Sequence, residues 1–148
     1  MANDIEEKLA QFVAAQEGVY EQVVRELMAG RKRSHWIWFV FPQMAGLGFS
    51  QMSRKFGIES RDEAIGYLKH DVLGPRLLEC TRLMLAAPHR DIGSIMGYPD
   101  DLKFRSSMTL FAAVAPDEAC FAEALEKFFG GERDSKTLEL LKASGWPE

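Results

Sequence analysis

Six consecutive apolar residues, Trp36-Ile37-Trp38-Phe39-Val40-Phe41, follow directly on the polar run Gly30-Arg31-Lys32-Arg33-Ser34-His35 and end at Pro42-Gln43. A block with four aromatic rings has too much apolar surface to leave in water, and no single neighbouring element can cover it. The rest of the chain is therefore expected to be arranged around it. Trp36 and Trp38 stand at i,i+2 and cannot share a helical face, so one can pack while the other lines a pocket. By composition the block reads as a buried strand, and by context as a buried helical turn. Its neighbours are all helical, which favours helix or irregular core. Pro42 ends the block and pushes Phe41 towards an extended conformation.

The flanking chain is punctuated by helix signals. Ile5, Leu9, Phe12 and Val13 make one apolar face over 4–15, with Asn3 or Asp4 as cap. Tyr20, Val23, Val24, Leu27 and Met28 form the stripe of a helix over about 16–29 that Gly30 stops. Glu26, a turn before the basic cluster, is placed to pair with an arginine there. Gly46-Leu47-Gly48-Phe49-Ser50 reads as a loop, and Ser50 caps a short helix to Phe56. Ser60-Arg61-Asp62-Glu63 is a capping box, and Pro75 sits as the first residue of a helix over about 75–87. Asp91 caps a turn ending at Gly97, and Pro99-Asp100 opens a segment through Ala113. Pro116 starts a helix stopped by Gly130-Gly131, Asp134 or Ser135 caps the last one, and Gly145-Trp146-Pro147 finishes the chain. No stretch alternates with period two between hairpin turns. The expectation is an all-α fold, one compact domain over 1–148, with about seven to eight helices and little or no sheet.

Charge locates a candidate site. Five of the 18 basic residues and none of the 22 acidic ones lie between Ala29 and Ile58, in a chain whose formal net charge is −4. A positive island in an acidic protein is a local field that attracts an anion. Arginine recognises phosphate or carboxylate with a planar fork, and an indole stacks on a ring. The same cations also suit the negative end of the preceding helix, so the cluster alone leaves a plain helix-end role open. The second polar concentration is Asp100-Asp101-Leu102-Lys103-Phe104-Arg105-Ser106-Ser107-Met108-Thr109, where a helix would turn Lys103, Ser106 and Ser107 to one side. The candidate ligand contacts are Arg31, Lys32, Arg33, Trp36, Trp38, Gln43, Lys103, Ser106, Ser107 and Thr109. The candidate catalytic groups are His35 for proton transfer and Glu26, Asp100 or Asp101 as a base beside a cation.

Other classes are excluded by what the chain lacks. His35, His70 and His89 show no metal-binding spacing, there is no Walker loop, and Gly46-x-Gly48 lacks the strand and further glycine of a dinucleotide fingerprint. No metal or cofactor is expected. No apolar run approaches the ~20 residues of a membrane span, and Met1-Ala2-Asn3-Asp4 is not a secretory start. A pI near 5.5 argues against broad nucleic-acid binding. Two readings remain: a cytoplasmic enzyme or binder for a small anionic, nucleotide-like metabolite, or a non-catalytic module docking an acidic protein or an RNA through the basic patch.

Several segments together resemble one family. They are Ala15-Gln16, Glu26-Leu27, the run Gly30 to Gln43, Gly46-Leu47-Gly48, Tyr67-Leu68 with His70, Leu73-Gly74-Pro75-Arg76-Leu77, Asp101-Leu102-Lys103 and Ser106-Ser107-Met108-Thr109-Leu110-Phe111. They resemble the bacterial domain-of-unknown-function family 1810, sometimes loosely called calpastatin, although nothing here resembles a repetitive, disordered inhibitor. The resemblance covers nearly the whole chain and implies a mainly helical single domain. The family has no established activity, so the resemblance carries over no catalytic residue. Pro75 departs from the family pattern, which bears only on that helix start.

Cys80 and Cys120 are isolated thiols inside helical apolar patterns, which suits buried free cysteines in a reducing compartment. Alkylation of denatured, non-reduced protein is expected to label both thiols by mass; a protein carrying an intramolecular disulfide would contradict the reading.

Overall fold

The structure, a computed structural model, describes residues 2–88 and 91–144, with side chains from Asp4 onward. His89 and the Gly145-Trp146-Pro147 finish lie outside the described residues. The helices are α1 (Ala2–Gln16), α2 (Tyr20–Met28), α3 (Ile37–Val40), α4 (Gln51–Phe56), α5 (Arg61–Lys69), α6 (Leu73–Ala86), α7 (Ile92–Met96), α8 (Asp100–Val114), α9 (Ala119–Phe129) and α10 (Ser135–Ala143). Seven of these have nine residues or more, and α3, α4 and α7 are single turns or little more. The fold is all-α. Among the described residues the one strand-like pairing is an isolated parallel bridge between Met44 and Ile58. None of the described helices is long and apolar enough to cross a membrane.

Helix α8 is the axis. Nine of its residues from Phe104 to Val114 are buried, on every side of the helix, as expected of an element enclosed by others. It packs on α9 and α10, on α5, and on the short α3 and α7. The aromatic block delivers its bulk here: Phe41 meets Phe104 edge to face at 4.9 Å, and Phe104 meets Phe128 of α9 at 6.0 Å. A second aromatic run passes from Phe39 through Phe56, Phe12 and Tyr67 to Phe111. Trp36, Ile37, Phe39, Val40 and Phe41 are all buried, so the block is core in the form of one helical turn and an extended exit.

One buried polar group ties three helices to that turn. Gln16, 1% exposed, donates from Nε2 to the Phe39 carbonyl at 2.7 Å and to the Tyr67 hydroxyl at 3.1 Å. Tyr67 donates to the same carbonyl, and Arg76 of α6 donates to Gln16 Oε1 at 3.1 Å. Every polar atom of the amide is thereby used, as burial requires.

The caps fall where their side chains dictate. Ser50, Ser60, Asp91 and Asp134 accept from the N–H groups of Ser53, Glu63, Gly93 and Thr137. His70 reads as a cap too, accepting from Val72 and Leu73. Gly30 and Gly130 end their helices with φ of 73° and 62°, a region costly for residues with a Cβ. Four boundaries differ from expectation. Helix α1 begins at Ala2, so Asp4 lies in its first turn rather than at its cap. The chain turns at Gly18, φ 83°, so α1 keeps Gln16 and α2 starts at Tyr20. Pro75 is the third residue of α6, where a missing N–H is still harmless. Pro116 lies in the loop before α9, which starts at Ala119 behind Glu118.

Cys80 and Cys120 are free and buried, and burial pushes the Cys80 thiol up to about 12. At Gly74 the start of α6 lies against the end of α5: a Cβ there would sit 2.0 Å from the Leu68 carbonyl oxygen. Gly74→Ala is expected to lower stability by roughly 1–3 kcal/mol or more, because neither backbone can yield without moving a helix. The urea midpoint measures it; an unchanged midpoint would mean that α5 and α6 shift freely.

Candidate functional site

The loop between α2 and α3 is built on one carboxylate. Glu26 is 4% exposed and accepts from the backbone N–H of Arg33 at 2.8 Å and of Ser34 at 3.1 Å. It also accepts from the Ser34 hydroxyl at 2.6 Å, Trp36 Nε1 at 2.8 Å and Gln22 Nε2 at 2.7 Å. Burial by itself pushes the carboxyl up, but the Ser34 hydroxyl, the Arg33 N–H, Gln22 and Trp36 outweigh it and hold it down at about 2. The expected pairing of Glu26 with an arginine is thus replaced by hydrogen bonds from the loop itself. The loop has no regular structure and bends at Ser34 and His35, and exposure alternates along it: Arg31, Arg33 and His35 are exposed, Lys32 and Ser34 half-buried.

Lys32 points inward. Its Nζ lies 2.6 Å from Asp100 Oδ2 at the start of α8, donates to the Ser34 carbonyl at 2.6 Å, and stands 5.1 Å above the Trp36 ring. Asp100 has a second, longer contact of 3.8 Å with Lys103 Nζ, one turn on.

Lys103 borders a groove of about 510 Å³ whose other walls include Trp38, Gln43, Leu47 to Ser50, Ser53, Pro99, Leu102, Ser106 and Asp134. The bridge at Met44 makes one side: Ile58 donates to the Gln43 carbonyl at 2.9 Å, and Ala45 donates to the Ile58 carbonyl at 2.8 Å. Gly57 permits this approach, since a Cβ on it would lie 2.7 Å from the Ala45 Cα. Phe49 at the rim is 82% exposed and Leu102 is 46% exposed. Tyr98, next to the bordering Pro99, is 82% exposed. The groove therefore offers an ammonium group, an amide, three serine hydroxyls, a carboxylate and an indole, inside an apolar collar.

Four of the expected contacts meet there: Trp38, Gln43, Lys103 and Ser106. The others do not border the groove. Trp36 is buried with its indole N–H on Glu26, and Lys32 is occupied by Asp100. Arg31, Arg33 and His35 face solvent, their side chains without hydrogen bond or ion pair among the described residues. Ser107, one step of about 100° around α8 from Ser106, is fully buried in the core. Thr109 is equally buried, donating to the Arg105 carbonyl at 2.9 Å and accepting from the Asp134 N–H at 3.0 Å. Asp101 lies outside the groove and accepts from the N–H of Leu102 at 2.9 Å. Glu26, saturated with donors, is a weak base where it stands.

Phe49, Ser50, Ser53 and Asp134 border the groove without having been singled out as contacts. A large apolar residue between Gly48 and Ser50 in a loop was the available signal for the first three. Asp134 carried none beyond its capping role, because only the tertiary fold brings α10 beside α8. Among the described residues no three His, Cys, Asp or Glu gather closely enough to hold a metal ion.

A family model described as "Protein of unknown function (DUF1810)" matches residues 6–141. The crystal structure of the conserved hypothetical protein Rv1873 from Mycobacterium tuberculosis is similar throughout, at 53% identity and a TM-score of 0.89, covering 90% of this chain and 96% of that one. No curated protein matches the chain.

The Glu26 clamp has a pH signature. Its folded value of about 2 lies below the ordinary 4.5, so the stability it contributes is present above about 4.5 and is lost as pH falls through about 2. Glu26→Gln is expected to lose roughly 3 kcal/mol at neutral pH, with the gap to the parent closing at acid pH. Urea unfolding between pH 2.5 and 7, as a rough working range, measures this; a constant gap would show that ionisation is not what the loop needs.

Proposed function

The chain belongs to the DUF1810 family of proteins of unknown function, and from the chemistry of its groove we propose that it binds a small anionic, nucleotide-like metabolite. The observation that carries the reading is that Trp38 and Lys103, from separate segments, border one concave space of about 510 Å³. That volume suits a ligand of nucleotide size. In this reading the ring of the ligand lies against Trp38 with Phe49 at its edge. The anion meets Lys103 with Ser106, and Gln43 with Ser50 and Ser53 supplies polar contacts to the part between. The proposal is binding, in the cytoplasm; it assigns no reaction.

The exposed Arg31 and Arg33 support a second reading, a non-catalytic module whose basic face docks an acidic protein or an RNA. The two separate by where binding is lost. Calorimetric titration with AMP is expected to give saturable binding that weakens about tenfold or more in Lys103→Met, by loss of a charge-assisted contact. Trp38→Ala is expected to weaken it by a similar order through lost stacking. Arg31→Met with Arg33→Met should leave it intact. AMP binding that survives Lys103→Met, or binding of an RNA oligonucleotide lost only with the two arginines, would overturn the groove reading.

A further inference from the structure

We propose that Lys32 and Asp100, neither of which borders the groove, act as positioning residues that set the charge Lys103 presents there, and that the groove consequently takes a phosphomonoester rather than a polyphosphate. The proposal rests on the anion reading of the same groove. Three charges stand in a row, Lys32, Asp100 and Lys103, and their spacing is unequal. Asp100 holds Lys32 at 2.6 Å, within hydrogen-bond distance, and Lys103 at 3.8 Å, beyond it. Lys32 has nowhere else to go: its side chain is 5% exposed and its remaining contacts are the Ser34 carbonyl and the Trp36 ring. The Asp100 carboxylate is therefore committed inward, and Lys103 keeps donors free to turn into the groove.

The row carries one surplus positive charge. Remove Lys32 and Asp100 has only Lys103 left to pair with, so the groove loses its cation without losing a groove residue. Asp134, on the same wall, limits the charge from the other side. Its carboxylate is turned to its own helix start, accepting from the Thr137 N–H at 3.0 Å, but remains a negative charge bordering the groove. One surplus cation facing a carboxylate matches a ligand of low charge and opposes a triphosphate.

Titration calorimetry with AMP, ATP and adenosine tests this on the parent and on Lys32→Met, Asp100→Asn, Lys103→Met and the double variant Lys32→Met/Asp100→Asn. The parent is expected to bind AMP more tightly than ATP. Lys32→Met should weaken AMP roughly tenfold and Asp100→Asn strengthen it by a similar factor, each changing by one unit the charge of the row that ends at Lys103. The double variant, which restores the surplus charge, should return to within about threefold of the parent, since the two changes cancel electrostatically. Adenosine, which has no anion for Lys103 to meet, should bind all of these with the same affinity. The positioning role is overturned if Lys32→Met and Asp100→Asn leave AMP binding unchanged, or if the double variant stays as weak as Lys32→Met. Tighter ATP than AMP binding overturns the ligand class. If Lys103→Met loses AMP binding while those results fail, the anion reading stands and only the present proposal falls. If the parent binds no AMP, both fall. Should Lys32→Met lack a folded circular-dichroism spectrum, Asp100→Asn decides: a gain in AMP affinity supports the proposal, and no change or a loss overturns it.

Discussion

An ionised carboxylate that is 4% exposed is tolerable only when donors replace the water it has lost, and around Glu26 five of them do. What makes this contact decisive is the identity of the donors. Two are backbone N–H groups at consecutive residues, which fixes the path of the loop. Another is the indole of Trp36, which fixes the entry of the aromatic block into the core. Along the loop so held, Lys32 and Ser34 are half-buried where Arg31 and Arg33 are exposed. The inward Lys32 then reaches the start of α8. A single desolvated group on α2 in this way sets the position of the helix that carries Lys103.

The second constraint is that α8 is enclosed on all sides yet carries Ser106, Ser107 and Thr109. Each hydroxyl resolves its burial differently. Thr109 bonds back to its own helix and accepts from the residue that caps α10, so it fastens α10 beside α8. Ser106, 7% exposed, opens on the groove. Ser107 Oγ, fully buried, has no hydrogen-bond partner among the described residues.

The sequence was most readable where structure is decided within a few residues. Caps at Ser50, Ser60, Asp91 and Asp134 and stops at Gly30 and Gly130 depend on local hydrogen bonds and local φ, and those are written in the chain. The burial of the aromatic block was readable for the same reason, since its own surface demands it. Proline positions were less so: Pro75 and Pro116 are compatible with the first residue of a helix, but also with its third residue and with the loop before it. The contents of the groove were only half legible. Trp38, Gln43, Lys103 and Ser106 could be named because they lie in the two segments of unusual composition. Asp134 could not, because nothing local distinguishes a capping aspartate that borders a groove from one that does not. Ser107 was drawn to the site by a helical-face argument and Thr109 by the polarity of its segment, and neither takes account of what else packs on the helix.

The basic cluster shows why adjacency in sequence is a poor guide to adjacency in a site. Residues 31–35 look like one positive patch in the sequence, but their exposure alternates along the loop. The outward members, Arg31, Arg33 and His35, contribute a field at the surface that weakens with salt over about 10 Å. The inward Lys32 contributes through a buried pair, where screening is weak and geometry governs. The exposed members of the positive island and the cation that borders the groove, Lys103, are therefore different groups, with Lys32 turned inward to Asp100 between them.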